Sequence, residues 1–236
     1  MLKRISTLVG GLALLLAAGQ VSAVVIQDNY IGSTNHGYGD VIADAGDHSY
    51  DISNMNVTFG GGYMTVRVNT NFNQATDPYG VAFGDLFIST NGWHPYGSAP
   101  YYQDNASNGE HWEYVFDTSA GMLYGGDFSI LNSDNFFDPS RYIFRNGQEV
   151  QRGTGGTAYS GSFEDLSNAG MNGFVEYNIL LSSIGISGDG DIGLKWGMTC
   201  ANDTIEGVAS VPEPSALMLL GLGLLALGVT ARKRKS

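Results

Sequence analysis

Glycine limits what this chain can become more than any other residue. Of its 236 residues 34 are glycine, and 28 of these fall within the 188 residues 24–211. An interior glycine costs a helix about 1 kcal/mol relative to alanine, so long helices are not sustained at this density. Short strands joined by tight turns are, because glycine enters positive-φ turns without a steric penalty. The segments between the glycines carry strand signals. "YMTVRVNT" alternates Met64, Val66 and Val68 against Thr65, Arg67 and Asn69, the two-residue period of a strand with one buried face. "DLFIST", "HWEYVFDT", "RYIFRNGQEV" and "GFVEYNILL" are rich in the aromatic and β-branched residues that suit a pleated surface. "FGGGY", "TNGWHPYG", "RNGQ" and "SGDGDIG" separate them. Asn146-Gly147 is a hairpin signal, since both residues accept positive φ. About eight to ten strands at irregular spacing predict an all-β fold, a single β-sandwich of the jelly-roll kind over 24–211. "NILLSSIGI" (178–186) is expected to add a short helical turn after its strand.

Such a domain must hold by burial. Cys200 is the one cysteine, so no disulfide can form within the chain. Its thiol is expected either to be buried or to serve an intermolecular bond or a lipid. The full chain has 23 acidic and 11 basic residues. Setting aside Glu213, Lys3, Arg4 and the four terminal bases leaves 22 acidic against 5 basic side chains, a net of −17 over 24–211. A surface of that sign repels nucleic acid and anionic headgroups and tolerates divalent cations.

The two ends read differently. Lys3 and Arg4 precede an apolar run from Leu8 to Ala18, followed by Val21-Ser22-Ala23. A charged n-region, an apolar h-region and a small-residue cleavage site form a secretory signal, so residues 1–23 are expected to be removed after Ala23. An uncleaved anchor is the alternative, for which the run is short. At the other end, Pro212-Glu213-Pro214 precedes apolar residues from Ala216 onward and then Arg232-Lys233-Arg234-Lys235. Sixteen residues from Ala216 to Ala231 make a helix of about 24 Å, marginal against a hydrocarbon core of about 30 Å. The basic cluster acts as a cytoplasmic stop. The prolines bias Val211 and Glu213 to extended backbone, which a processing enzyme can grip. The expected organisation is a signal peptide (1–23), an ectodomain (24–211) and a sorting segment with a short transmembrane helix (212–236).

Candidate sites cluster in "NGWHPYGSAPYYQDNASNGEHWEY", which holds Trp93, Tyr96, Tyr101, Tyr102, Trp112 and Tyr114. Loop aromatics can stack on the C–H faces of sugars while polar neighbours bond the hydroxyls. Trp93, His94, Tyr96 and Asp104 are the candidate ligand-binding set. The competing reading has Trp112 and Tyr114 alternating on a strand and packing inward, the loop rings covering one end of the fold. Asp189 and Asp191 in "GDGDIG", and Asp134 and Asp138 in "NSDNFFD", offer hard oxygen ligands to Ca²⁺ but lack a full twelve-residue loop, and aspartate is also a common turn former. No cofactor is otherwise expected. The four histidines, His36, His48, His94 and His111, are not in zinc-ligand spacing, and there is no nucleophile elbow or phosphate loop. Glu110 and Glu113 flank Trp112, but residues three apart on a strand face opposite ways, a poor carboxylate pair for glycoside cleavage. No catalytic residues are assigned.

The tail carries a specific resemblance. Pro212-Glu213-Pro214, a short apolar helix and a terminal basic cluster resemble the PEP-CTERM sorting signal of Gram-negative bacteria in order, spacing and position. The resemblance implies processing by an exosortase, a membrane-embedded cysteine protease or transpeptidase. It also implies transient tethering in the inner membrane, then release to the cell surface or extracellular polysaccharide matrix. "WGMTCANDTIEG" (196–207) is similar to a stretch that often precedes this tail. "FVEYNILLSSIGI" (174–186) resembles family-9-like carbohydrate-binding domains. Three functions follow as expectations: an exported surface or biofilm-matrix protein associated with polysaccharide, a secreted carbohydrate-binding module, or a glycan-active enzyme.

Overall fold

A computed structural model describes residues 22–28, 50–78, 80–99, 101, 103–132, 147–166, 173–201, 203–212 and 223. Asn146, Asp134, Asp138, Glu213, Pro214 and the signal through Val21 lie outside the described residues. So does the predicted membrane helix, apart from Gly223. Among the described residues no helix is long and apolar enough to cross a membrane.

The fold is all-β. Its strands are β1 (Ser22–Gln27), β2 (Ile52–Gly60), β3 (Tyr63–Thr70), β4 (Leu86–Ser89), β5 (Tyr114–Asp117), β6 (Met122–Asn132), β7 (Glu149–Tyr159), β8 (Gly161–Asp165), β9 (Phe174–Leu180), β10 (Gly190–Gly197) and β11 (Thr204–Val211). They form two antiparallel sheets, one of five strands in the order β1-β2-β3-β9-β8 and one of six in the order β11-β10-β4-β5-β6-β7. A 3-10 turn over Leu181–Ile184 follows β9, where "NILLSSIGI" predicts it. Seven of the ten connections between successive described strands stay within one sheet. The path is therefore one of meanders and hairpins with three crossings, unlike the two Greek keys of the jelly roll that the sequence suggested.

Alternation builds the core. Val57, Val66 and Tyr177 stand in register across β2, β3 and β9, and all three are fully buried. Leu86, Ile88, Phe116, Leu194 and Trp196 of the six-stranded sheet join them in one apolar cluster, so the two sheets share a single core. Each such side chain contributes about 1.5–3 kcal/mol through burial. Polar ends inside the core are paired. Trp196 Nε1 donates to Tyr177 Oη at 2.6 Å. The phenol lies 3.1 Å from Thr118 Oγ1, which donates to the Gly84 carbonyl. Burial pushes the Tyr177 phenol well above its ordinary pKa.

The β2–β3 hairpin turns through Gly61 and Gly62, at φ +59° and +84°, left-handed backbone that glycine supplies without strain. The segment 196–207 forms the β10–β11 hairpin, with Trp196, Met198, Cys200, Asp203 and Glu206 all buried. Asp203 Oδ2 accepts the Ile52 N–H at 2.7 Å and its Oδ1 accepts the Thr204 N–H at 2.8 Å, tying this hairpin to the start of β2. The first and last strands, each at an edge of its own sheet, meet: a Cβ on Gly207 would lie 2.5 Å from Ile26 Cγ2.

Candidate functional site

Sheet geometry places the aromatic loop. In the six-stranded sheet Leu86, Ile88, Phe116, Leu194 and Trp196 face the shared core, so Phe87, Val115 and Lys195, one residue out of phase, face away from it. Cross-strand register sets Glu206, Lys195, Phe87, Val115 and Tyr124 in one row on this outer face. An outward strand face is ordinarily solvated, yet Phe87, Val115, Lys195 and Glu206 are all buried. The segment 90–113, which joins β4 to β5, roofs this face. Trp112 forms a second apolar cluster with Phe87 and Val115, against which Trp93, Tyr124, Phe128 and Ile130 pack.

Under the roof lies a charged network. Lys195 Nζ donates to Glu206 Oε1 at 2.7 Å, to Glu149 Oε2 at 3.0 Å and to Gln148 Oε1 at 2.6 Å. Burial opposes the ammonium charge, but the two carboxylates outweigh it and the lysine pKa is raised. Gln148 Nε2 passes the network on to the Asp104 carbonyl at 2.8 Å. Asp104 itself is 2 % exposed. Burial, helped by the negative charge of Glu206, pushes its carboxyl up to about 7, against the opposing bond from the Tyr96 N–H.

The four candidate ligand residues therefore separate. Trp93 is half-buried; its Nε1 donates to Glu206 Oε2 at 3.1 Å and its ring meets Tyr101 edge to face. Asp104 is turned into the fold. His94 and Tyr96 remain at the surface, the His94 side chain 70 % and Tyr96 49 % exposed. All four are tied into the roof, Trp93 through Glu206, His94 through its N–H to Glu110, and Tyr96 through its N–H to Asp104.

Glu110 and Glu113 are clips. Glu110 accepts from Ser89 Oγ through Oε1 and from the His94 N–H through Oε2. Glu113 accepts the Thr90 N–H through Oε2 at 2.8 Å and Asn91 Nδ2 through Oε1 at 2.8 Å. Each carboxylate has both oxygens committed to the 89–94 turn, which pins the start of the roof. Both precede β5 and line the same cleft, so they do not face opposite ways as strand spacing suggested.

Beside the roof a cleft of about 520 Å³ opens. Thr90, Ala106, Glu110, His111, Trp112, Glu113 and Tyr114 line it from one side, Gly126, Asp127, Phe128 and Ile130 from the other. The β6–β7 pairing slips between Gly125 and Phe128 and again between Phe128 and Ile130. Such bulges bend a strand and re-aim its side chains, commonly beside binding sites. Trp112 is 4 % exposed, and among the described residues its Nε1 has no hydrogen-bond partner. The reading that put Trp112 and Tyr114 inward on a strand holds only for the burial of Trp112, which precedes β5 and packs under the roof rather than in the shared core, while Tyr114 is partly buried. The bulged floor at 126–130 carried no signal beyond its paired glycines.

Asp191 lies on β10, its Oδ1 accepting from Ser210 Oγ at 2.6 Å, and Asp189 precedes the strand. Among the described residues no group of three His, Cys, Asp or Glu side chains could hold a metal ion.

A family model for the PEP-CTERM protein-sorting motif matches residues 210–235. Its first residues, Ser210 and Val211, belong to β11, where they pair with Asp191 and Gly190. No curated protein and no solved structure matches the chain.

Proposed function

We propose that this chain, which carries the PEP-CTERM protein-sorting motif and is thereby an exported substrate of exosortase, is a non-enzymatic component of the cell surface or extracellular polysaccharide matrix. The observation that carries the reading is the motif at 210–235, beginning at the last two residues of the last strand. In this reading residues 1–23 direct export and are removed after Ala23. The tail beyond Pro214 holds the chain briefly in the inner membrane, and exosortase cuts near Pro212-Glu213-Pro214. The 24–211 ectodomain is a two-sheet sandwich whose net charge of −17 disfavours nucleic acid and other polyanions as partners. Ca²⁺ at Asp189 and Asp191 would need ligands from beyond the described residues; a calcium-dependent rise in melting temperature would reveal it.

Intact mass of the protein recovered from the cell surface tests the reading. The expected chain starts at Val24 and lacks the Arg232–Lys235 cluster. Retention of Lys235 on surface-exposed protein overturns the sorting claim.

A secreted carbohydrate-binding module is the second reading, favoured by a cleft lined with Trp112, Tyr114 and Phe128. A glycan-active enzyme ranks behind both, because Glu110 and Glu113, two of the three carboxylates that line the cleft with Asp127, are engaged in holding the loop.

A further inference from the structure

We infer that the cleft between the 106–114 segment and the bulged part of β6 is a binding site for a hydroxyl-rich, non-anionic oligosaccharide, with the Trp112 indole N–H as a hydrogen-bond donor to a sugar oxygen. The inference rests on the polysaccharide reading above and gives it a site different from the loop residues Trp93, His94, Tyr96 and Asp104.

Three observations carry it. The first is the orphan donor. Trp112 lines the cleft and is 4 % exposed; its Nε1 is itself sealed from solvent and has no acceptor among the described residues, so a sugar oxygen reaches it only with a small shift of the cleft wall. The indoles of Trp93 and Trp196 are both bonded, to Glu206 and Tyr177. A buried donor without a partner is costly, so the exception calls for an explanation such as a missing acceptor. The second is the chemistry of the remaining lining. Glu110, Glu113 and Asp127 line it; the two glutamates are engaged by the 89–94 turn, but a carboxylate oxygen has more than one lone-pair site, so a ligand that meets them must still bring donors. Hydroxyls and ammonium groups do so; carboxylates, sulfates and phosphates are repelled. The third is shape and surface. Tyr114, Phe128 and Ile130 add apolar area to the indole, and about 520 Å³ falls in the range of small-molecule pockets, in which apolar walls supply contact and a few polar groups fix orientation. A sugar, with C–H faces and a rim of hydroxyls, meets all three requirements.

The test uses the full chain in detergent, labelled with ¹⁵N at the indoles of its three tryptophans. The resulting peaks are assigned with Trp93→Phe and Trp112→Phe. Cellohexaose, a chitosan hexamer and an oligogalacturonate are titrated in turn, with calorimetry in parallel. The expected result is that cellohexaose or the chitosan hexamer moves the Trp112 peak while the Trp196 peak stays, and that oligogalacturonate moves neither. Trp112→Phe keeps a ring and removes the donor, and should weaken binding roughly tenfold, the scale of one buried hydrogen bond. Ala106→Trp, which fills the cleft from a loop position and leaves Trp112 in place, should abolish binding and covers the case in which Trp112→Phe does not fold. Binding that persists in Ala106→Trp with an unmoved Trp112 peak overturns the cleft and leaves the polysaccharide reading standing. Tight binding of oligogalacturonate through Trp112 overturns the ligand class. If neither these probes nor purified matrix polysaccharide binds the full chain, both readings fall.

Discussion

Lys195 and Asp104 sit in one dry compartment beneath the aromatic roof, linked through the two ends of the Gln148 amide. Their titration should be visible in stability. Asp104 has a folded pKa of about 7 against an ordinary 3.8, because burial disfavours its charge. Between those values the folded state binds the proton more than the unfolded chain does, so stability falls as pH rises from about 4 through about 7. Asp85, pushed up to about 6 by burial, acts with the same sign. Asp104→Asn can still accept from the Tyr96 N–H but cannot ionise. Denaturant midpoints taken from pH 5 to 8 should therefore show a shallower decline for this variant than for the parent, with the Asp85 contribution remaining. An unchanged slope would show that Asp104 is not the titrating group. Lys195→Met poses the opposite problem, leaving Glu149 and Glu206 buried without their cation. Breaking a buried pair in this way costs about 3–5 kcal/mol, and the double variant Lys195→Met/Glu206→Gln should recover part of the loss.

Elements, in turn, depend on what covers them. β3 and β9 alternate buried positions with partly or fully exposed ones, as strands with one dry face must, and both were legible. β10 is buried at six consecutive positions, Ile192 to Gly197, with lysine among them. No period announces such a strand, since its second face is dry only because residues 90–113 fold over it. β1 and β11 close one side of the fold through the Ile26–Gly207 approach. Gly207→Ala would set a methyl against the branched Ile26 side chain, which has little freedom to yield. Overpacking of this kind costs about 1–3 kcal/mol. Thermal melting checks it, and the paired change Gly207→Ala/Ile26→Ala should relieve the clash. β1 also bears on export. It runs from Ser22, so removal of residues 1–23 would leave the pairs from Val24↔Val57 to Gln27↔Asn54 intact.

For the whole molecule, the sorting motif and the folded domain overlap. Val211 pairs with Gly190 and Pro212 follows at once, leaving residues 212–215 before the first apolar residue, Ala216. Four extended residues reach about 14 Å, so a tethered chain holds its domain against the membrane surface. Replacing Pro212, Glu213 and Pro214 together by alanine should leave the fold intact and the chain unprocessed in the inner membrane. Cell fractionation reads this directly, and normal surface display of the variant would contradict the proposed route. Cys200, at 0 % exposure, lies within the core, where a lipid or a second thiol does not reach it in the folded state. Its melting temperature should accordingly be indifferent to reductant at fixed protein concentration.

The division between what the chain announces and what folding adds follows sequence distance. Glycine density, two-residue alternation and the Pro-Glu-Pro tail are local patterns, and from them the all-β class, strands such as β3 and β9, the 3-10 turn and the sorting motif could all be read. The charged network could not, because Lys195 meets Gln148 and Glu149 from across the chain and their burial requires a roof supplied by a third segment. Glu110 and Glu113 read in sequence only as a poor acid pair and are loop clips in space, a role hidden from local pattern since the donors that occupy them come from residues 89–94. The sheet order was hidden for the same reason: alternation fixes which face of a strand is dry, whereas which strand lies beside it is decided by how distant segments bury that face together.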